Sequence, residues 1–212
     1  MSNPVKLPLF PLGVVLFPGM PLPLHIFEER YKLMIGECLK HHEPFGVVYY
    51  TGENFYKIGC SAEIRRVMET FDDGRMNIFT EGIRRFSISR IVSDKPYLTG
   101  LVEFFDDVDP AGPETEALSK RAVALYKDAV RLTSNEKTVD IPSMNSKELS
   151  FLIAASSGFS LNEKQAFLEM RSTGERLKKA TSALKRLIDR HKTTKEIEGI
   201  ISGNGYLHNK TI

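Results

Sequence analysis

Between Leu7 and Phe27 the chain reads LPLFPLGVVLFPGMPLPLHIF, and these five prolines set among large apolar residues constrain its folding more than any other stretch. Each proline fixes φ and removes a backbone donor. Pro8, Pro11, Pro18, Pro21 and Pro23 therefore confine the region to edge strands, strand starts and rigid turns. The apolar runs between them, residues 7–12 and 14–17, are expected to pair as short strands. From Phe27 the period changes: Phe27, Tyr31, Met34, Ile35 and Cys38 fall at steps of three and four, which predicts an amphipathic helix directly after the proline-bracketed strands.

Beyond Glu43 the pattern is that of strands, with runs at residues 45–50, 62–71, 75–82, 85–91 and 97–105 separated by turn residues. Asp73-Gly74 supplies the positive φ of a tight hairpin, and Gly52, Gly59 and Gly82 are candidate bends or bulges. A meander closing on itself is the simplest outcome. Asp106, Asp107, Asp109, Pro110, Gly112 and Pro113 then form a polar break, after which the strand pattern does not return. Pro113 opens a helix to about Leu132, and Ser160–Glu163 and Ser172–Glu175 match the capping box, with Asn145–Glu148 a weaker variant. Four helices follow. The last buries Leu177, Ala180, Leu184, Leu187, Ile188 and His191 and turns Lys178, Lys179, Lys185, Arg186, Arg190 and Lys192 outward. The expected division is a β-rich subdomain over 1–107, a helical bundle over 113–201 and a flexible terminus over 202–212.

At 212 residues the chain can bury a substantial core, and 42% hydrophobic with 26% charged residues argues against disorder. A net charge of +2 exerts no general pull toward nucleic acid or membrane. There are two cysteines and no apolar stretch near the length of a membrane span, so a cytoplasmic location is expected.

Pro8, Leu9, Pro11 and Leu12, then Phe17, Pro18 and Gly19, then Pro23, Leu24, Ile26 and Phe27, then Glu28, Arg30 and Tyr31 closely resemble the opening of the N-terminal domain of Lon proteases. The resemblance continues through Phe45-Gly46-Val47, Ile58-Gly59, Asp73-Gly74, Gly82, Arg85-Phe86 and Pro96-Tyr97, and more weakly over 160–187. It implies an α+β fold: a small PUA-like mixed β-barrel with one or more helices, followed by a C-terminal helical bundle. It also implies a non-catalytic module that engages unfolded or partly folded polypeptide in proteolytic quality control, with a protease or chaperone as a further partner; the chain looks like that domain standing alone.

The residues themselves exclude the catalytic parts of that family. No glycine is followed by lysine, so the phosphate loop of an ATPase cannot be built in its usual form. Ser134–Lys137 and Ser182–Lys185 have Ser-x-x-Lys spacing, but a polar loop and a solvated helix face leave the lysine without the desolvation that would make it a base. Cys38, His41, His42 and Glu43 cluster, yet a zinc site would need two more ligands, Cys60 and His25 being the candidates. A small core cysteine and histidines at a helix end are the simpler reading, and neither metal nor cofactor is expected.

Arg65, Arg66, Arg75, Arg84, Arg85 and Arg90 lie on adjacent strands, and PUA-like barrels include RNA binders, so a nucleic-acid or small-ligand site is the alternative function. Interleaved Glu63, Glu69, Asp72, Asp73 and Glu81 argue for paired surface charge instead. The last helix is a better basic patch, with nine Lys or Arg against two acids between Arg171 and Lys195, though solvated basic faces are common. The favoured candidate for binding polypeptide is the proline-stiffened loop Leu16, Phe17, Pro18, Met20, Pro21 and Leu22, which could present apolar surface at small entropic cost. The competing role for the same side chains is to plug the end of the barrel.

Overall fold

A computed structural model of the chain describes residues 4–109, 112–133, 141, 143–156 and 158–204. Its elements run β1 (Val5–Leu12), β2 (Pro21–Ile26), α1 (Glu29–His41), β3 (Phe45–Tyr50), β4 (Phe55–Thr70), β5 (Met76–Val92), β6 (Thr99–Phe104), α2 (Pro113–Thr133), α3 (Ser146–Ala155), α4 (Leu161–Glu169) and α5 (Thr173–Asn204). This is a mixed α+β fold, with a six-stranded sheet followed by C-terminal helices. The strand order is β2-β5-β4-β3-β1-β6, and β6 also pairs with β5, so the pairings of five strands close a circuit with β2 attached outside it. Among the described residues only the β1–β3 pair is parallel.

Leu7, Leu9, Val48, Phe86, Ile88 and Val102 form one buried cluster within the strands. Gly46 and Gly59 make room for it, because a Cβ at either would lie 2.7 Å from Cζ of Phe86. A second cluster joins α1 to the sheet through Tyr31, Met34, Ile35 and Cys38 against Ile26, Ala62 and Ile78. The third lies among the helices, with Leu149, Phe151, Phe167, Leu177 and Leu184, and Phe17 reaches into it from the β-rich half.

Several details differ from the sequence expectation; β4, for one, begins at Phe55, seven residues before the run expected from residue 62. Residues 14–17 form no strand, because Leu16 and Phe17 are drawn into two different cores and the chain then reverses through Pro18-Gly19, with Gly19 at φ 77° and the Met20 amide donating to the Phe17 carbonyl at 3.1 Å. That pattern is the proline-glycine reversal in which only the second residue needs positive φ. The runs at 75–82 and 85–91 are one strand, with a register shift against β4 between Gly82 and Arg85, as a bulge beside Gly82 would give; the missing side chain of Gly82 also admits the Phe17 carbonyl, which a Cβ would strike. Phe27 lies outside α1 and is 60% exposed, stacked on His25.

The capping boxes at Asn145–Glu148 and Ser160–Glu163 are both complete. At α5 the Ser172 hydroxyl accepts from the Glu175 amide as the sequence suggested, but a carboxylate from far upstream also serves this helix end. Asp109 accepts from the amides of Thr173 (3.0 Å) and Gly174 (3.2 Å) and from the Ser172 hydroxyl. An anion there opposes the positive end of the helix dipole. The polar break after β6 thus folds back onto α5 instead of hanging free. The helix itself continues to Asn204, through the start of the segment expected to be flexible; residues 205–212 lie outside the described residues.

Next to Asp109, a buried ionic network joins the sheet to the helices. Arg85 of β5 donates to Asp107 Oδ1 (2.5 Å), to the Leu168 carbonyl (3.1 Å) and to the Met170 carbonyl. Arg176 of α5 donates to Asp107 Oδ2 (2.5 Å), the Met170 carbonyl (2.9 Å) and Ser150 Oγ (2.8 Å). The side chains of Arg85, Arg176 and Asp107 are 1%, 0% and 5% exposed. Both guanidinium groups lie over the Phe151 ring, at 5.1 and 4.1 Å from its centroid, so the charge is desolvated against an aromatic face that attracts it.

Burial raises the pKa of the Asp107 carboxyl, but its bonds with Arg176 and Thr173 and the charge of Arg85 outweigh that and hold it below the usual carboxylate range. The stability this group contributes is therefore fully present above the ordinary carboxylate pKa near 4 and lost as pH falls through the lower folded value. Asp107→Asn leaves two buried cations undercompensated and is expected to cost about 3–5 kcal/mol at neutral pH. The difference from wild type should shrink in urea titrations below about pH 4; a constant difference would contradict this sign. Phe17→Ala, which empties a site shared by strands and helices, should cost a similar amount, about 3–5 kcal/mol, independent of pH.

Candidate functional site

The Pro18-Gly19 reversal is held against β5 by two main-chain bonds, Gly19 N–H to the Gly82 carbonyl (2.7 Å) and Gly82 N–H to the Met20 carbonyl (2.9 Å). Opposite it stands the first turn of α3. Asn145 Oδ1 accepts from the amides of Lys147 and Glu148, and the Glu148 carboxylate accepts from the Asn145 amide, all at 3.0 Å. Met144 precedes this cap at the position from which an apolar residue staples onto the helix, and it packs on the same core as Leu149. Between loop and helix lies a cleft of about 480 Å³, whose apolar lining is Pro18, Met20, Ile83, Met144 and Phe151.

The charges at the rim are already matched. Glu81 accepts from Arg65 Nε at 3.0 Å, Lys147 pairs with Asp106 at 2.5 Å, and Glu148 is engaged in the cap. Ser143 is the hydroxyl in the lining, with no imidazole or free lysine beside it among the lining residues. Chemically the cleft can hold apolar groups between two methionines, whose flexible thioethers adapt to differently shaped contacts.

The six loop residues singled out in the sequence divide into two groups. Leu16 (4% exposed) and Phe17 (0%) are core residues, the former packed with α1 and the latter with the helical cluster. Pro18 and Met20 line the cleft, Met20 touching both cores while staying partly accessible. Pro21 is exposed at the start of β2, and Leu22 is half-buried toward α1. Ile83, Met144 and Phe151 were not singled out. The capping box after Met144 marked a helix start, but nothing local says which loop that helix faces.

The strand arginines do not converge on a cleft. Arg65 pairs with Glu63 (2.5 Å) and Glu81, Arg75 with Asp73 (2.7 Å), Arg66 lies over Phe79 and Arg84 over Phe104, while Arg85 is the buried strut already described. Cys38 and Cys60 are buried and unpaired, and burial pushes both thiols up to about 12, which leaves them unreactive. His42 ends α1 in the left-handed conformation, its amide bonded to the Cys38 carbonyl. Among the described residues no group of three His, Cys, Asp or Glu is placed to hold a metal ion. Ser182 donates to the Lys178 carbonyl on an exposed helix face, and Ser134 and Lys137 lie outside the described residues. No helix among the described residues is long and apolar enough to cross a membrane.

The sequence aligns with Lon proteases of Flavobacterium johnsoniae, at 29% identity over 82% of this chain and 23% of the relative, and of Escherichia coli K12, at 24% over 92% and 26%. The chain thus spans about a quarter of the length of the curated relatives it matches. Among solved structures, a Lon N-terminal domain protein from Xanthomonas campestris superimposes with a TM-score of 0.65 at 24% identity, covering 84% of this chain and 98% of that one. The N-terminal domain of the Mycobacterium avium complex Lon protease gives 0.71 at 17% identity, covering 85% and 98%. At these identities the superpositions establish a common fold. The family model of the ATP-dependent protease La (LON) substrate-binding domain matches residues 6–186, and these 212 residues carry neither the ATPase nor the peptidase motif. The chain belongs to the Lon substrate-binding domain family and corresponds to its non-catalytic N-terminal region.

Proposed function

We propose that this protein binds unfolded or partly folded polypeptide through exposed apolar side chains, in the cleft between the 16–22 loop and α3. The observation that carries this reading is the apolar lining contributed from both sides, Pro18 and Met20 from the loop, Ile83 from β5, and Met144 and Phe151 from the helical half. Leu16 and Phe17 anchor the loop, while Pro21 and Leu22 continue its surface along β2. We read the closed strand circuit as a PUA-like barrel and treat 1–107 and 113–201 as two subdomains that share the cleft; the packing of Phe17 into the helical core supports this. A role in handing polypeptide to a protease or chaperone in the cytoplasm completes the proposal. It is supported by kinship to the Lon substrate-binding domain and by two buried, unpaired cysteines.

The affinity expected is micromolar, about 8 kcal/mol, because a small apolar contact must first offset the entropy of association. Met20→Asp and Met144→Asp each place a charge on one wall. Each should weaken binding of a permanently unfolded, carboxymethylated protein about tenfold, measured by fluorescence anisotropy with melting temperature recorded in parallel. Using both walls separates contact from core packing, since Met20 also touches two cores and Met144 only one. Wild-type affinity in both folded variants would remove the cleft from the function.

A further inference from the structure

Pro11 of β1 stands where that strand has lost one of its neighbours. The Leu9 amide donates to the Leu98 carbonyl at 2.8 Å, so the odd-numbered residues of β1 turn their peptide groups toward β6. The β6 ladder stops at Pro8↔Thr99 with that one bond beyond it, while the β3 ladder continues to Leu12↔Tyr49. Pro11 therefore presents a carbonyl and no N–H to the space past Leu98. That space is a second cavity of about 420 Å³, which shares no lining residue with the first cleft. Phe10, Tyr31, Tyr50 and Phe55 give it aromatic walls, and Glu28 and Arg30 stand at one end. Tyr50 is pinned by its hydroxyl, which donates to the Gly52 carbonyl at 2.6 Å.

The uncommitted donors of this cavity gather at the start of α1. Glu28 is the N-cap residue, yet its carboxylate makes no capping bond; Oε2 accepts from Arg30 Nε (2.8 Å) and lies 2.7 Å from Nη2, which leaves Nη1 without a partner among the described residues. The Tyr31 and Lys32 amides both reach the Glu28 carbonyl at 2.9 Å, and the Glu29 and Arg30 amides before them have no acceptor among the described residues. Two free amides thus stand at the positive end of the dipole of a 13-residue helix. Tyr31 points to a ligand independently. It is 7% exposed, with its ring stacked on Phe10 at 4.0 Å and the Arg30 guanidinium 4.6 Å from its centroid. Its hydroxyl makes no hydrogen bond among the described residues, but is not sealed in as Ser156 Oγ and Thr181 Oγ1 are. Burial raises its pKa, and the charges of Arg30 and Glu28 lower and raise it in turn, which puts the hydroxyl end beside that pair. A largely buried hydroxyl without an acceptor carries a desolvation cost that a ligand oxygen would remove.

We propose that this second cavity binds small aromatic carboxylic acids as their anions, the carboxylate against the Tyr31 hydroxyl, Arg30 Nη1 and the first amides of α1, and the ring between Tyr50 and Phe55. The head group follows from the charge at that end. Glu28 is matched by Arg30 and Glu29 by Lys32, so the net attraction comes from the helix end, which suits one carboxylate better than a doubly charged phosphate. A flat body follows from the walls, since aromatic rings pack best on other rings. With no N–H on Pro11, the β1 wall cannot take an added strand. This site does not depend on the polypeptide-binding reading of the first cleft.

The test is an NMR titration of the full ¹⁵N-labelled chain with 3-phenylpropionate, its primary amide, acetate, inorganic phosphate, and N-acetyl-Leu-Phe with a free carboxylate. 3-Phenylpropionate should bind with a dissociation constant of about 0.1 mM, shifting the Glu29 and Arg30 amides most, and the amide, acetate and phosphate should bind at least about tenfold more weakly. Tyr31→Phe keeps the ring on Phe10 and removes only the hydroxyl, so affinity should fall about fivefold with melting temperature unchanged. Arg30→Gln should cost about tenfold, and Glu28→Gln, which frees Arg30, should tighten binding about threefold. Equal binding of the acid and its amide, wild-type affinity in Tyr31→Phe, or shifts confined to the 16–22 loop would overturn the site. The acetylated dipeptide should bind no more tightly than 3-phenylpropionate; a gain of more than about tenfold would overturn the small acid in favour of a polypeptide C-terminus.

Discussion

One carboxylate between two guanidinium groups holds the two halves of this protein in register. Asp107 comes from the segment after β6, Arg85 from β5 and Arg176 from α5, and the carbonyls of Leu168 and Met170 at the end of α4 complete the set. An apolar cluster of equal volume could be as stable, since desolvating three charges is costly. What the charged set adds is direction. A guanidinium fork is satisfied by acceptors in its own plane, so the end of α4, the start of α5 and the post-sheet segment must arrive together.

The same network reaches the cleft through Phe151. Its ring is overlaid by Arg176 and Arg85, packs 6.0 Å from Phe17, and lines the cavity. The cleft floor is therefore fixed by the elements that join sheet to helices. The loop wall is fixed differently, by Leu16 in one core, Phe17 in another and the main-chain bonds to Gly82. Only the outer residues of that loop remain available. A stiff loop with buried anchors holds Pro18 and Met20 in place with little conformational freedom left to lose.

Pro21 and Pro23 in β2, a strand that pairs with β5 alone, and the register shifts of β4 between Ile64 and Arg66 and between Val67 and Glu69 give the sheet a second property, resistance to edge pairing. An open ladder is a template for pairing with any other exposed strand, and a missing donor or a register shift interrupts it. In β2 the prolines that constrain how the chain folds also deprive its free edge of N–H donors.

Sequence alone determined the elements whose cause is local. A continuous run of β-branched and aromatic residues located β3, three- and four-residue spacing located the buried face of α1, Asp73-Gly74 located the hairpin, and the serine and asparagine boxes located the starts of α3 and α4, because each signal acts within a few residues. Pro21 and Pro23 likewise announced an edge strand. Arg85, by contrast, looked like its neighbours Arg84 and Arg90, yet it alone is buried, since its partner lies 22 residues ahead and its carbonyl acceptors more than 80. Leu16 and Phe17 looked like the rest of their loop, and Asp109 looked like part of a linker although it caps a helix 64 residues away. Those assignments, and the meeting of Met20 with Met144 across a cleft, were decided only by tertiary structure. A long-range contact leaves no mark on the residues beside it in sequence, whereas a turn or cap must be written where it acts.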